Sequence, residues 1–477
     1  MKGLLAYGAY VPYHRLLRRD LGAALGSRAG KGSRAVASYD EDTTSMAVEA
    51  ARNALHSVRV RPERLYLATS APPYLDKTNA AAVHAALGLD RSALAVDMGG
   101  APRSAIGALL AASDAPVPTL AVLSDIRTGL PGSGDERDGG DAAAALLFGP
   151  GGPGAPVLAE VVASASTTEE FLERWRLPGA TASRTWEDRF GGHVYGPLAE
   201  DAFAAALKAA GLTPEQVDHL VVCGPASRPN AAFARGSDVR TGAVAPSLTD
   251  SVGNPGTAQP GLLLADVLDR ASPGQHVVLV QLADGATAIV LHTTEHIGAT
   301  RPRATVTCQV AGGSPGIGYH LFLTWRGMLD REPPRRPEPD APAAPPSHRA
   351  GGYKYAFEAT RCEACGTVNL PPSRVCYCCS AVDRMTGHPM RDTLGTVATF
   401  TVDRLAFTPS PPMVAVVVDF DGGGRFRCEL ADAGPDDVAI GMRVELTFRR
   451  LLTADGVHNY FWKARPVRTR TSSEDET

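Results

Sequence analysis

The stretch HVVLVQLADGATAIVLHT (276–293) decides the fold. It reads as a near-continuous apolar strand, HVVLVQLA (276–283), a turn at Asp284-Gly285, and a second apolar strand, ATAIVLHT (286–293). Glycine accepts the positive φ of a tight turn, so the Asp-Gly pair has a structural role. Roughly 150 residues upstream the same pattern occurs. There TLAVLSDI (119–126) is followed by the turn Asp138-Gly139-Gly140-Asp141 and by AAAALLFG (142–149).

The two halves correspond further out as well. In the first, RLYLATSA (64–71) is a strand, NAAAVHAALGL a helix, ALAVDMGG (93–100) a strand, and Ser104 to Ala112 a helix. In the second, HLVVCGPA (219–226) is a strand, and SVGNPGTAQ (251–259) opens a helix at GLLLADVLD. The predicted order in each half is strand, helix, strand, helix, strand, turn, strand. Apolar strands alternating with helices belong to sheets covered on both faces. The fold class is therefore α/β: a duplicated, layered α-β-α-β-α domain with halves at 1–150 and 151–300.

A connecting segment at 301–352 follows, ending in REPPRRPEPDAPAAPPSHRAGG (331–352). Proline removes donors and favours an extended chain, so this stretch reads as a semi-rigid linker. Beyond it, Cys362-x2-Cys365-x10-Cys376-x2-Cys379 has the spacing of two knuckles that complete a tetrahedral site for structural Zn2+. Cys378 is an extra thiol that could replace a neighbour in register. The zinc ribbon is assigned to 353–384. GTVATFTV, PPMVAVVVDF, RFRCEL, MRVELTFRR and HNYFWKARPV then read as five short strands of a small β-barrel, an OB-fold at 385–470, with a polar tail at 471–477.

Composition narrows the function classes. The chain has 477 residues, 21% of them charged and 44% hydrophobic, with a formal net charge of −4. Those values fit a folded globular protein and exclude a largely disordered one. They also argue against a general polyanion binder. OB-folds often bind single strands through stacking aromatics, and Tyr460, Phe461, Trp462 and Lys463 could imitate that. Adjacent strand residues point to opposite faces, however, so these four cannot line one groove. No nucleic-acid partner is expected. The start MKGLLAYGAYVPYHR lacks a signal-peptide core, and no run of about 18 apolar residues occurs, so no membrane span is expected. Eight cysteines, five of them between 362 and 379, fit metal ligation in a reducing, cytoplasmic compartment.

The N-terminal unit resembles the thiolase superfamily, most closely the archaeal-type 3-hydroxy-3-methylglutaryl-CoA synthases and β-ketoacyl-ACP synthase III. GLLAYGAYVP (3–12), YDEDTTSMAVEAARNAL (39–55), SVGNPGTAQPG (251–261) and the two Asp-Gly turns carry the resemblance, over about residues 1–300. The C-terminal half resembles the rubredoxin-like zinc ribbon plus OB-fold family that accompanies thiolases and these synthases, usually as a separate subunit. The resemblance implies acyl-CoA or acyl-carrier thioesters as substrates, a homodimer, and possible pairing with a thiolase-like partner.

It also implies a cysteine nucleophile at a helix N-terminus, a glutamate acid/base, and a histidine and asparagine in the second half. On this sequence the cysteine slot falls at Pro102, or at Ala101 or Arg103 in a neighbouring register. The glutamate slot falls near Ala71 and the histidine slot at Cys223, and only the asparagine is kept, as Asn254. Four replacements are candidates. Cys223 reads as a relocated nucleophile or as a buried small hydrophobe. His193 and Tyr195, in the Gly-rich FGGHVYGP (190–197), read as acid or base, or as a loop histidine and a packing tyrosine. Asn254 reads as an oxyanion donor or as a turn residue before Pro255. Asp76 and Lys77 read as a surface pair, and Ser104 as a helix N-cap. Three functions follow: an acyltransferase or condensing-type enzyme with a rewired site, a carbon–carbon lyase on acyl-CoA, or a non-catalytic acyl-CoA-binding partner of a thiolase.

Overall fold

A computed structural model describes residues 2–27, 30–186, 188–335 and 339–467. The linker residues 336–338, the barrel residues 468–470 and the tail at 471–477 lie outside the described residues. The chain divides into two units. The first comprises Met1–Ala37, Glu49–Ala81 and Leu89–Tyr319; the second comprises Ser38–Val48, Ala82–Gly88 and His320–Thr477.

In the first unit, the first half contributes β1 (Lys2–Tyr10), β2 (Arg64–Thr69), β3 (Leu94–Gly99), β4 (Thr119–Ile126) and β5 (Asp141–Pro150). The second half contributes β6 (Ala159–Thr168), β7 (His219–Cys223), β8 (His276–Leu282) and β9 (Gly285–Thr293). The order across the sheet is β7-β8-β9-β6-β1-β5-β4-β2-β3. Each half repeats the same pairings. β2 is parallel to β3 and β4, and β7 to β8; the later strands, β4–β5–β1 and β8–β9–β6, are antiparallel. The halves meet at one register, Leu4 opposite Ala159.

The duplication is incomplete in one respect. The second-half counterpart of β3 is reduced to a single parallel bridge, Leu220 to Val244. This corrects the strand order predicted for that half.

The helices are α1 (Thr43–Leu55), α2 (Ala80–Ala86), α3 (Ser104–Asp114), α4 (Asp188–Ala210), α5 (Ser227–Gly236) and α6 (Gln259–Leu268). Ala105, Ile106, Ala108 and Leu109 of α3 share one core with Leu262, Leu263 and Leu264 of α6 and with Leu123, Ala144 and Val221 from the strands. A second core lies under α4, where Tyr195, Ala199, Phe203 and Leu207 meet Val278, Val280 and Val290. Asp97 caps α2 from β3, accepting the backbone N–H groups of Asn79 and Ala80 at 2.7 Å each.

FGGHVYGP, expected as a Gly-rich loop segment, forms the opening turns of α4, with Pro197 inside the helix. Ser104 is the first residue of α3 rather than its cap. Arg103 holds the cap position, and the Ser104 hydroxyl donates to Gly99 O at 2.9 Å.

The second unit holds the zinc-ribbon candidate and the barrel. The ribbon sheet is β10 (Glu358–Cys362), β11 (Val368–Asn369) and β12 (Met385–Pro389), with β10 central. The barrel strands are β13 (Gly395–Asp403), β14 (Met413–Phe420), β15 (Arg425–Glu429), β16 (Arg443–Ala454) and β17 (Val457–Pro466), ordered β15-β14-β13-β16-β17. A parallel bridge from Leu430 to Ala464 brings β15 round to β17, the closure of an OB-fold. The segment read as an extended linker contains two short helices, Ala344–Arg349 and Gly351–Ala356.

This unit has a charged core. Arg449 is fully buried and contacts Asp40 at 3.2 Å, Glu41 at 3.1 Å and Asp432 at 2.8 Å. Lys463 contacts Asp40 at 2.8 Å and Glu429 at 2.6 Å. The Tyr460 hydroxyl donates to Asp42 at 2.7 Å, and Trp462 Nε1 donates to Tyr355 O. Tyr460, Trp462 and Lys463 are thus engaged inside the unit, and the Phe461 ring packs on Tyr353, Phe357 and Phe426. Two positively charged neighbours hold the Asp40 carboxyl well below the usual carboxylate range against the opposing effect of its burial.

Candidate active site

A cavity of about 990 Å³ opens in the first unit. Its walls come from the Gly134–Asp138 turn of helix, the two-stranded segment at Arg174–Trp175 and Arg184–Thr185, helix α5, and the loop carrying Asn254.

Asn254 lines this cavity. Its Nδ2 donates to Gly224 O at 2.8 Å, and its Oδ1 accepts the Gly256 N–H at 2.9 Å. The amide is therefore held in one orientation, and one of its two N–H bonds remains for a ligand.

Tyr195 is 2% exposed and stands behind a cavity residue that sequence reasoning missed, Glu173. The Tyr195 hydroxyl donates to Glu173 Oε2 at 2.6 Å. Burial first, and then the Glu173 charge, push the phenol well above the ordinary tyrosine range, so it keeps its proton and donates it in the hydrogen bond to Glu173. His193, two residues earlier on α4, is exposed and lies off the Tyr195 face. The structure does not bring it to the cavity.

Cys223 is corrected too. It is fully buried in the central core, and its thiol donates toward Val280 O at 3.6 Å. Its neighbour Val222 lines the cavity, whereas Cys223 does not. Burial alone pushes the thiol far up, the opposite of what a nucleophile requires.

Beside Pro102, where the cysteine slot was expected, Arg103 is tightly held. The Arg103 guanidinium donates to Ala283 O at 2.9 Å, Thr167 O at 3.1 Å and Thr168 Oγ1 at 2.8 Å, and also bonds Asp284 O. Gln281 Nε2 donates to Pro102 O at 3.1 Å. The start of α3 is thereby tied to the β8–β9 turn. Near the vacant glutamate slot, the Ser70 hydroxyl donates to Asp125 Oδ2 at 2.7 Å. Asp76 and Lys77 are exposed, as a surface pair would be.

In the second unit, the ligand atoms of Cys362, Cys365, Cys376 and Cys379 lie within 4.8 Å of one another. The closest Sγ pairs are 3.6 Å apart, too far for disulfides and suited to a tetrahedral thiolate site. The two knuckles match. Gly366 N–H bonds Cys362 O, and Ser380 N–H bonds Cys376 O, with φ +76° at Gly366 and +57° at Ser380. Cys378 is exposed and outside the cluster.

Comparisons with known proteins agree with this fold. Residues 391–449 match the family model for the ChsH2 C-terminal OB-fold domain. A hydroxymethylglutaryl-CoA synthase of Aeropyrum pernix is 29% identical over 346 residues, covering 69% of this chain and 94% of the relative. One from Methanopyrus kandleri is 28% identical over 320 residues, covering 63% and 90%. Among solved structures, MvaS in complex with 3-hydroxy-3-methylglutaryl coenzyme A has a TM-score of 0.59 at 21% identity, covering 72% of this chain and 94% of that one. The 3-oxoacyl-(acyl carrier protein) synthase III of Pseudomonas aeruginosa has a TM-score of 0.53 at 23% identity, covering 61% and 98%. No helix among the described residues is long and apolar enough to cross a membrane. The chain is a thiolase-fold protein with hydroxymethylglutaryl-CoA synthase-like relatives, and it carries an OB-fold domain of the ChsH2 C-terminal type.

Proposed function

We propose that this protein makes or breaks a carbon–carbon bond on an acyl-CoA or acyl-carrier thioester by acid–base chemistry, without a covalent acyl-enzyme. One observation carries the reading: a carboxylate backed by a buried phenol, Glu173–Tyr195, faces the same cavity as Asn254, while Cys223 lies outside it. In the cleavage direction Glu173 removes the hydroxyl proton of a β-hydroxyacyl thioester. The bond between C2 and C3 breaks, its electron pair forms the thioester enolate, and a carbonyl forms at C3. The proton then returns to C2, and the reverse sequence is an aldol condensation. Asn254 supplies an N–H to the enolate oxygen. Relatives named for hydroxymethylglutaryl-CoA synthesis, and a solved neighbour holding that thioester, support the substrate class.

The test is turnover of a panel of β-hydroxyacyl-CoA compounds with intact-mass analysis of the protein. Glu173→Gln is expected to reduce kcat by about 10²–10⁴-fold with little change in thioester affinity. Tyr195→Phe removes a donor to the ionised carboxylate, so the acidic limb of kcat/KM moves to higher pH. Cys223→Ser leaves turnover within about twofold. A stable acyl adduct on the protein, or an active Glu173→Gln variant, would overturn this reading. The absence of a cysteine at Ala101, Pro102 and Arg103 favours one alternative, a non-catalytic thioester-binding partner of a thiolase, which binds the panel and turns none of it over.

The four-cysteine cluster is assigned one Zn2+, whose role is to cross-link the ribbon. The absence of a disulfide among the described cysteines fits a reducing compartment. A homodimer is assigned to the free edge of the sheet. β3 pairs on one side only among the described residues, and its Leu94 is 50% exposed with Val96 and Met98 partly covered. Sedimentation of the wild type should give twice the chain mass, and Leu94→Lys/Met98→Lys should give one chain mass. A monomeric wild type removes the assignment.

A further inference from the structure

Three arginines with little exposure reach the cavity, and two of them are matched within the protein. Arg18 bonds Asp250 Oδ1 at 3.0 Å together with the carbonyls of Lys31, Arg137 and Thr249. Arg174 forms a two-point pair with Asp135 at 2.9 and 2.6 Å.

Arg127 is different. It is 6% exposed, and its guanidinium makes no hydrogen bond or ion pair with any described residue. Only its backbone is engaged, the N–H with Asp141 Oδ1 and the carbonyl with Arg34. The adjacent carboxylate, Asp125, is already committed: Oδ2 accepts the Ser70 hydroxyl at 2.7 Å and the Thr257 N–H at 3.0 Å.

A buried guanidinium cannot discard its proton to escape the cost of desolvation. Burial, reinforced by the charge of Arg174, brings its pKa down to about 10, which still leaves it charged at neutral pH. Such a group calls for a partner that arrives from outside the chain.

The position specifies that partner. Gly256, two residues beyond Asn254, has φ +54°; a Cβ there would stand 2.7 Å from Arg127 Nη2 and 2.5 Å from Asp125 Oδ2. The guanidinium therefore sits beside the Asn254 loop, at the reacting end of the cavity. The exposed arginines Arg228 and Arg235 lie on another wall, along α5. A guanidinium fork with no partner fits a planar carboxylate in two-point contact.

We propose that Arg127 seats a carboxylate borne by the acyl group, so that the substrates are thioesters of dicarboxylic acids. This rests on the thioester reading above and narrows it.

The experiment is calorimetric binding of CoA, acetyl-CoA, malonyl-CoA, succinyl-CoA and free succinate to the full chain and to its Arg127→Gln and Arg127→Lys variants. The wild type is expected to prefer malonyl- or succinyl-CoA over acetyl-CoA by about tenfold or more. Arg127→Gln should abolish that preference and leave CoA and acetyl-CoA affinity unchanged. Arg127→Lys, which keeps the charge but not the fork, should retain part of it. Arg127→Gln gives up no hydrogen bond, only charge attraction to Asp125 and Asp135 set against the cost of burying the guanidinium, so its melting temperature should stay close to that of the wild type. Equal weakening of all CoA compounds would place a carrier phosphate on Arg127 and overturn the proposal. Absence of any preference in the wild type would also overturn it. If no CoA compound binds but succinate binds in an Arg127-dependent way, the carboxylate seat stands and the thioester reading falls. If nothing binds, both fall.

Discussion

Arg449→Met is expected to destabilise the C-terminal unit by about 3–5 kcal/mol, measured as a drop in the urea midpoint at unchanged m-value. Arg449 is fully buried among Asp40, Glu41 and Asp432, so removing it leaves three carboxylates without their shared cation. Methionine fills much of the volume, which makes the loss electrostatic rather than a cavity effect. A double variant, Arg449→Met with Asp40→Asn, should lose less than the sum of the singles, because Asp40→Asn removes part of the uncompensated charge. The pH dependence has a definite sign. The folded state holds the Asp40 carboxyl below its ordinary range, so this stability is present above the unfolded value of about 4 and is lost as pH falls through the folded value. The acid unfolding limb of the wild type should therefore be steeper than that of the Asp40→Asn variant. A loss under about 1 kcal/mol in Arg449→Met would show that the carboxylates find other partners.

The same cluster explains a feature of the sequence whose purpose was not evident from its pattern. The run Tyr39-Asp40-Glu41-Asp42 precedes α1. Asp42 caps that helix, with Oδ1 accepting the Ser45 N–H at 2.9 Å and the Ser45 hydroxyl accepting the Asp42 N–H at 2.8 Å. Its other oxygen receives the Tyr460 hydroxyl, and Asp40 and Glu41 receive Arg449 and Lys463 from the barrel strands. An acidic run next to a helix reads as a cap and a solvated face. Its burial against residues about 400 positions away is a tertiary fact that no local signal contains.

That contrast separates what was legible from what was not. The strand 119–126 and the turn at Asp284-Gly285 were readable because buried strands are apolar throughout and that tight turn needs the positive φ that Gly285 supplies. Asp138–Asp141, by contrast, proves to be the end of the Gly134–Asp138 helix followed by extended chain, with Gly139 at φ −66° and Gly140 kept small by the close approach of Val252 O. The cysteine spacing was readable because metal geometry constrains the chain locally. Cys223 stayed ambiguous for the same reason its strand was found. A strand covered on both faces shows no alternation, so nothing in HLVVC says that Val222 faces the cavity while Val221 and Cys223 enter the central core. Glu173 and Arg127 were invisible because each meets the cavity through a loop whose position depends on other segments. Arg174 on Asp135 fixes the one, and Asp141 with Arg34 fixes the other. The helix Ala344–Arg349 escaped notice because Pro345 and Pro346 look like breakers. At the first turn of a helix proline loses no hydrogen bond.

The larger effect is expected at the ribbon. Its sheet consists of strands of five, two and five residues, and its buried apolar side chains are few: Phe357, Ala359, Val368 and two of the cysteines, Cys362 and Cys376. Such a unit lacks the core to fold unaided, and a structural zinc contributes on the order of 10–16 kcal/mol to domains of this kind. Metal analysis of the purified protein should return one Zn2+ per chain. Cys365→Ser should remove it and expose the 362–385 segment to protease, while β13–β17 remain protected. Cys378→Ser is the internal control, because that thiol is exposed and outside the cluster, and it should retain both metal and protection. Equal loss in the two variants would mean that the ligand register includes Cys378. Full zinc retention in Cys365→Ser would mean that three thiolates and a water suffice, giving the ribbon an open coordination position and a chemistry beyond cross-linking.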